Sequence, residues 1–171
     1  MIKCISLIII LILSLLISKL IGKEFENRVK LLQTTKVILT ETITMLEYYP
    51  VNIFEILAHF TKEEYSPMDT IFMNILKRCS QENSSPNEIC KEEFSALCTK
   101  HSLSNKEVEV YNSMIGTLTT QDQQGAIAKL QITLASCDRL YQQATQDRDV
   151  KGAMQRKLAI FGGLILIIFL I

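Results

Sequence analysis

The stretch DQQGAIAKLQITLASCDRLYQQA, Asp122 to Ala144, decides the fold class. Its apolar residues Ile127, Leu130, Leu134, Cys137, Tyr141 and Ala144 recur at alternating spacings of three and four, so they line one stripe of an α-helix in a heptad-like seam. Asp122 stands where an N-cap is required, and no Pro follows before Ile171. The helix is therefore expected to continue toward the end of the chain, with Gly152 marking the point where a bundle gives way to an apolar segment.

Upstream, the same period recurs and no strand-like alternation persists. A first helix is expected from about Phe25 to Tyr48, carrying Val29, Leu32, Leu39, Ile43 and Leu46 and stopping at Tyr49-Pro50. Asn52 can cap a second helix with Ile53, Ile56, Leu57 and Phe60 on its inner side. Ser66 before Pro67 fits the cap and first position of a third, carrying Ile71, Phe72, Ile75 and Leu76. Gln81 to Pro86 is the most polar stretch and reads as an exposed loop. Ser85 or Ser84 then caps a fourth helix, Asn87 to Lys100, and Ser104 with Glu107 forms a capping box opening Asn105 to Leu118.

Both ends are greasy. Ile5 to Ile17 is broken only by Ser6 and Ser14, and extending it from Ile2 to Ile21 gives the roughly 20 residues that cross a hydrocarbon core of about 30 Å. A cleaved signal peptide competes for this segment, but Ser18-Lys19-Leu20-Ile21-Gly22-Lys23 offers no small-x-small site, so it is expected to stay as an anchor. Leu158 to Ile171 carries no charge and is expected to span with Arg156 and Lys157 snorkelling to the interface. The fold class expected from the sequence is thus all-α, a helical bundle of about six helices between an N-terminal and a C-terminal transmembrane helix. The boundaries fall at 1–22, 23–151 and 152–171. Lys19, Lys23, Arg28 and Lys30 on one side and Arg148, Lys151, Arg156 and Lys157 on the other put the middle domain in the cytoplasm by the positive-inside rule.

The chain has 171 residues with 18 basic and 18 acidic side chains. A net charge of zero gives no long-range field to draw nucleic acid, which is excluded as a partner. Cys79, Cys90, Cys98 and Cys137 match no zinc or redox spacing and are expected as free, mostly buried thiols in a reducing compartment. There is no phosphate loop, no G-x-G-x-x-G, no H-E-x-x-H and no G-x-S-x-G. His59 and His101 lie far apart, and the adjacent pairs Glu63-Glu64 and Glu92-Glu93 point to different helix faces. Catalysis, a cofactor, a metal and a small-molecule substrate are accordingly not expected.

One resemblance goes beyond periodicity. Leu103-Ser104-x-x-Glu107-Val108-Glu109-Val110, then Leu118 and Asp122, then a long helix reaching Lys157-Leu158-Ala159-Ile160-Phe161-Gly162-Gly163-Leu164 and an apolar tail, resembles the stage III sporulation protein AB family. Met114-Ile115 and Leu118-Thr119 stand where that family tends to carry Phe-Gly and Leu-Gly. The resemblance implies a bundle similar to the cytoplasmic domain of the F component of type II secretion systems. It further implies a mother-cell membrane protein of the channel complex between mother cell and forespore, needed for forespore development. Its implied partners are the other channel subunits, the ATPase stage III sporulation protein AA, and the lipid bilayer.

The reading that follows is a noncatalytic platform subunit. Its partner-binding surface is assigned to the polar faces around Glu92, Glu93, Lys129, Arg139 and Arg148. An alternative of another class is a membrane-anchored adaptor or redox sensor, in which the Gln81–Pro86 loop responds together with Cys79, Cys90 and Cys98.

Overall fold

The structure is a computed structural model that describes residues 2–48, 52–81, 85–101, 103–118 and 122–170, with the side chains of 2–11, 63, 166, 169 and 170 left aside. The helix stop expected at Tyr49-Pro50, the loop residues 82–84 with the alternative cap Ser84, and Thr119 lie outside the described residues.

Every described element is helical: α1 (Ile2–Tyr48), α2 (Ile53–His59), a single 3-10 turn (Glu63–Tyr65), α3 (Met68–Gln81), α4 (Pro86–Lys100), α5 (Asn105–Leu118), α6 (Gln123–Asp147), a π-helical turn (Arg148–Gly152) and α7 (Ala153–Leu170). The starts follow local chemistry. Asn52 caps α2 in a reciprocal capping box with Glu55, its Oδ1 accepting from the Phe54 N–H at 3.1 Å. Ser85 caps α4 by accepting from the Glu88 N–H, with Pro86 at the first position. At α5, Glu107 Oε2 accepts from both the backbone N–H and the hydroxyl of Ser104, each at 2.7 Å, so the box closes through the carboxylate. The third start falls past its expected cap: α3 begins at Met68, and the Ser66-Pro67 peptide is cis.

The chain divides into two compact units, one of Met1–Lys30 with Gln142–Ile171, the other of Leu31–Tyr141. In the second unit, Leu31, Leu32, Ile38 and Leu39 of α1 are buried together with Phe60, Met68, Phe72 and Ile75, Ile89 and Phe94, and Tyr111, Met114 and Ile115. An aromatic chain runs through it, with ring centroids 5.9 Å apart for Phe60–Phe72, 6.1 Å for Phe72–Phe94 and 5.6 Å for Phe94–Tyr111. The fully buried Tyr111 hydroxyl meets Thr35 Oγ1 at 2.9 Å while Thr35 donates to the Leu31 carbonyl at 2.8 Å. Both polar groups are thereby satisfied inside an apolar core. Along α6 the buried row is Ala126, Leu130, Thr133, Cys137, Leu140 and Ala144. Leu130, Cys137 and Ala144 are shared with the expected seam. Ile127, Leu134 and Tyr141 flank it half-buried, because the stripe rolls one position toward Thr133, whose hydroxyl is satisfied by the Lys129 carbonyl at 2.9 Å.

The expected pair of transmembrane helices is corrected by the structure. Among the described residues no helix is long and apolar enough to cross a membrane. In α7, Arg156 and Lys157 leave an apolar run from Leu158 that reaches about 20 Å at about 1.5 Å per residue, short of a core of about 30 Å. In α1, Ser14, Ser18 and Lys19 break the apolar pattern, and both serines belong to a contact between helices. The N-terminal segment is not a separate element, since it is the first part of the single helix α1.

Candidate interaction surfaces

The first unit is a pair of antiparallel helices, and small residues set how closely they approach. Ser14 Oγ donates to the Ala159 carbonyl at 2.9 Å and Ser18 Oγ to the Arg156 carbonyl at 3.5 Å. A Cβ placed on Gly163 would stand 2.5 Å from the Cβ and Oγ of Ser14. Farther along, the Arg156 side chain lies over Gly22 and the Phe25 ring lies over Gly152, the last residue of the π-helical turn. Arg28 then meets Asp147 at 3.4 Å, and Lys151 reaches the other oxygen of Asp147 at 2.7 Å. These contacts hold the Asp147 carboxyl below the ordinary range, the Lys151 hydrogen bond most of all.

With small residues taking the seam, the large ones face out. Ile12, Leu13, Leu15, Leu16, Ile17 and Leu20 of α1 are exposed, Leu20 at 65%. So are Leu158, Phe161, Leu164, Ile165 and Ile168 of α7, Ile168 at 71%. Exposed apolar residues scattered singly are ordinary, whereas a contiguous set of this kind marks a surface that something else covers.

The residues assigned from sequence to partner binding fall in different places. Glu92 and Glu93 come together, but on Arg78, whose guanidinium donates to Glu92 at 2.7 Å and to Glu93 at 3.1 Å and ties α3 to α4. Lys129 and Arg139 are exposed on α6. Between them stands Ile132, 69% exposed, while Arg139 also donates to the Ala135 carbonyl of its own helix at 3.3 Å. Arg148 is in the other unit, in the π-helical turn, paired with Asp149 at 2.8 Å. Gly162-Gly163 reads in sequence as a small contact surface for another helix, and Gly163 takes that role. Sequence reasoning missed Arg78 and the α1 side of the seam, for which the spacing of Ser14, Ser18 and Gly22, four residues apart each time, was the available signal.

Cys79, Cys90, Cys98 and Cys137 form no disulfide among the described residues, and Cys90, Cys98 and Cys137 are buried while Cys79 is partly exposed. Burial pushes the Cys90 thiol up to about 11 and Cys137 up to about 12, so neither is a ready nucleophile at neutral pH. His59 shares Glu41 Oε2 with Tyr65, at 3.2 and 2.8 Å, and lies edge-on to Phe60 with centroids 5.0 Å apart, which fixes the α2–α3 connection to α1. A cavity of about 410 Å³ lies between α4 and α5, lined by Phe94, Cys98, Leu103, Val108 and Asn112 among others. No group of three or more His, Cys, Asp or Glu among the described residues is arranged to hold a metal ion.

This arrangement of a capped helical bundle and a helix pair can be compared with known proteins. No curated protein and no solved structure matches the chain. The family model described as Stage III sporulation protein AB (spore_III_AB) matches it from residue 3 to residue 171. That match spans the cap at Ser104, the long helix after Asp122 and the apolar end, the residues on which the resemblance was drawn, and with nearly the whole length covered the chain belongs to the stage III sporulation protein AB family, a family of sporulation.

Proposed function

We propose that the protein is a noncatalytic platform subunit of the sporulation channel complex between mother cell and forespore, required for forespore development. It resides at the mother-cell membrane around the forespore with the bundle on the cytoplasmic side, where it docks a secretion-type ATPase, stage III sporulation protein AA. The observation that supports this most is the division of surface chemistry. The first unit turns many of its Ile and Leu side chains outward, and the second buries most of its own, Ile132 being an exception, and exposes charged ones. A platform needs both surfaces, one at the membrane and one for soluble partners. In the second unit the docking face is drawn from Glu92, Glu93, Lys129 and Arg139, with the exposed Ile132 as its apolar anchor.

Affinity capture of the full-length protein from gently solubilised membranes of sporulating cells, followed by mass spectrometry, tests the reading. It should recover the ATPase with other channel subunits; recovery of none of them from membranes that contain them would reject it. Arg139→Glu should reduce that capture several-fold while leaving the fold intact, because among the described residues the hydrogen bonds of Arg139 go to Ala135 and Ser136 of its own helix, on an exposed face.

The second reading, a redox-sensing adaptor, draws on Cys79, which is partly exposed and lies near enough to Cys90 to influence its ionisation. Alkylation of the native protein at pH 7.5 with mass-spectrometric mapping separates the two readings. A platform should label at Cys79 first and leave Cys90 and Cys137 unlabelled over the same interval. Rapid joint labelling of Cys79 and Cys90, abolished by mild oxidation, would favour the sensor.

A further inference from the structure

Just below the outward-facing apolar side chains of the helix pair, the first charges met are positive. Lys19 and Lys23 are exposed on α1, and Arg156 and Lys157 stand on α7. The antiparallel register puts these four at one level, since Ser18 donates to the Arg156 carbonyl and the Arg156 side chain lies over Gly22. α7 contains no carboxylate, and the first acidic residues of α1, Glu24 and Glu26, follow Lys23 on the side away from the apolar end. Farther from the apolar end the pattern reverses. There Arg28 and Lys151 are neutralised by Asp147, and Arg148 by Asp149. The lysines nearest the apolar surface, Lys19, Lys23 and Lys157, therefore present their charges outward, whereas Arg28, Arg148 and Lys151 farther away meet carboxylates of the same unit.

An apolar surface bordered first by cations, with Glu24 beyond them, fits a lipid surface with anionic headgroups. Apolar side chains partition toward the acyl boundary, while Lys and Arg extend aliphatic stems and keep their charges at the phosphate level. A second copy of the chain fits less well, because side-by-side pairing in the same direction would bring two sets of these cations together without compensation. We infer that Lys19, Lys23, Arg156 and Lys157 form a collar that docks the helix pair on anionic phospholipid, with Leu20, Leu158 and Phe161 entering the adjoining acyl region. This rests on the membrane residence proposed above and adds the chemistry of the lipid to it.

The test is flotation of the full-length protein, delivered from dilute detergent, with vesicles of phosphatidylcholine alone or of phosphatidylcholine and phosphatidylglycerol at 3:1. The wild type is compared with a Lys19→Gln, Lys23→Gln, Lys157→Gln variant. These three lysines are exposed; Arg156 is kept because it packs on Gly22. At about fivefold in affinity per basic residue near an anionic surface, the variant should bind the mixed vesicles about 100-fold more weakly. Raising salt toward 0.5 M should erode the wild-type advantage in the same direction. Circular dichroism of the variant should match the wild type. Equal binding to both vesicle types, indifferent to the variant, would overturn the collar and leave membrane residence standing. Flotation with neither vesicle, with light scattering reporting a dimer, would overturn both and hand the apolar surface to a second copy.

Discussion

The two units use the same residue types in opposite directions. In Leu31–Tyr141 most Ile, Leu and Phe side chains are buried among several helices, and the buried hydroxyls of Thr35 and Tyr111 meet each other. In the unit of Met1–Lys30 with Gln142–Ile171, two helices have a seam but no interior. The seam is filled by Ser14, Ser18, Gly22, Gly152 and Gly163, and the large apolar side chains are left outside. A single helix pair cannot bury a broad apolar face on itself, because burial needs a second layer. What holds the pair together is close approach and hydroxyl-to-carbonyl bonding; what holds the bundle together is apolar burial. Different substitutions should therefore break each.

The largest expected loss is in the bundle. Tyr111 is wholly buried, is stacked on Phe94 and shares a hydrogen bond with Thr35. Tyr111→Ala removes the ring and orphans Thr35 in part, and should lower the unfolding free energy of that unit by about 3–5 kcal/mol. Thr35→Val, which keeps the shape and strands only the Tyr111 hydroxyl, should cost about 1–3 kcal/mol. Urea titrations followed by tyrosine fluorescence give both values. A loss below about 1 kcal/mol for Tyr111→Ala would mean that this aromatic chain is not the centre of the core.

The helix pair is tested by two neighbouring glycines that should respond with opposite sign. A Cβ on Gly163 meets Ser14 Cβ at 2.5 Å, an atom bonded to the backbone that cannot swing away, so Gly163→Ala should force the helices apart at about 1–3 kcal/mol. Gly162 has nothing within 4 Å of its added Cβ, so Gly162→Ala should gain up to about 1 kcal/mol from helix propensity alone. Amide hydrogen exchange across α7 reads both, with faster exchange expected for the first and slower for the second. The same direction for both would remove the seam as the determinant of this unit.

What was legible in the sequence follows the same division. The bundle's helices were readable because caps are local: Asn52, Ser85 and Ser104 each act on a backbone N–H or a carboxylate within three residues. The α3 start was misplaced because Ser66-Pro67 looks like a cap in sequence, whereas the helix begins at Met68. The greasy ends were read from hydropathy as two membrane-crossing helices, and hydropathy does not register that Ser14 and Ser18 are seam residues, although the continuation of the N-terminal helix into the helix up to Tyr48 was legible because no breaker interrupts it. Glu92 and Glu93 were read as a docking face from their charge. Their common partner Arg78 comes from the preceding helix and could not be found by spacing within α4.

The smallest expected effect sharpens the contrast at the charged end of the helix pair. Lys151 first, and Arg28 after it, favour the ionised form of Asp147 and lower its pKa in the folded state. The sign follows from linkage. A depressed carboxyl contributes stability above its unfolded value of about 3.9, and that contribution disappears as pH falls through the lower folded value. Hydrogen exchange of Ala153–Leu158 should thus be steady between pH 7 and 5, once corrected for intrinsic rates, and should accelerate below about pH 4. Asp147→Asn should abolish the Asp147 part of that acceleration, and at neutral pH it should cost about 1 kcal/mol or less, since Lys151 is 61% exposed and its pair is screened by solvent. Asp149, lowered by its neighbour Arg148, titrates in the same window, so the informative quantity is the difference between the two proteins and not either curve alone. If that difference stays constant from pH 7 to pH 3, the ion pairs do not stabilise the helix pair, and the small-residue seam alone holds it closed.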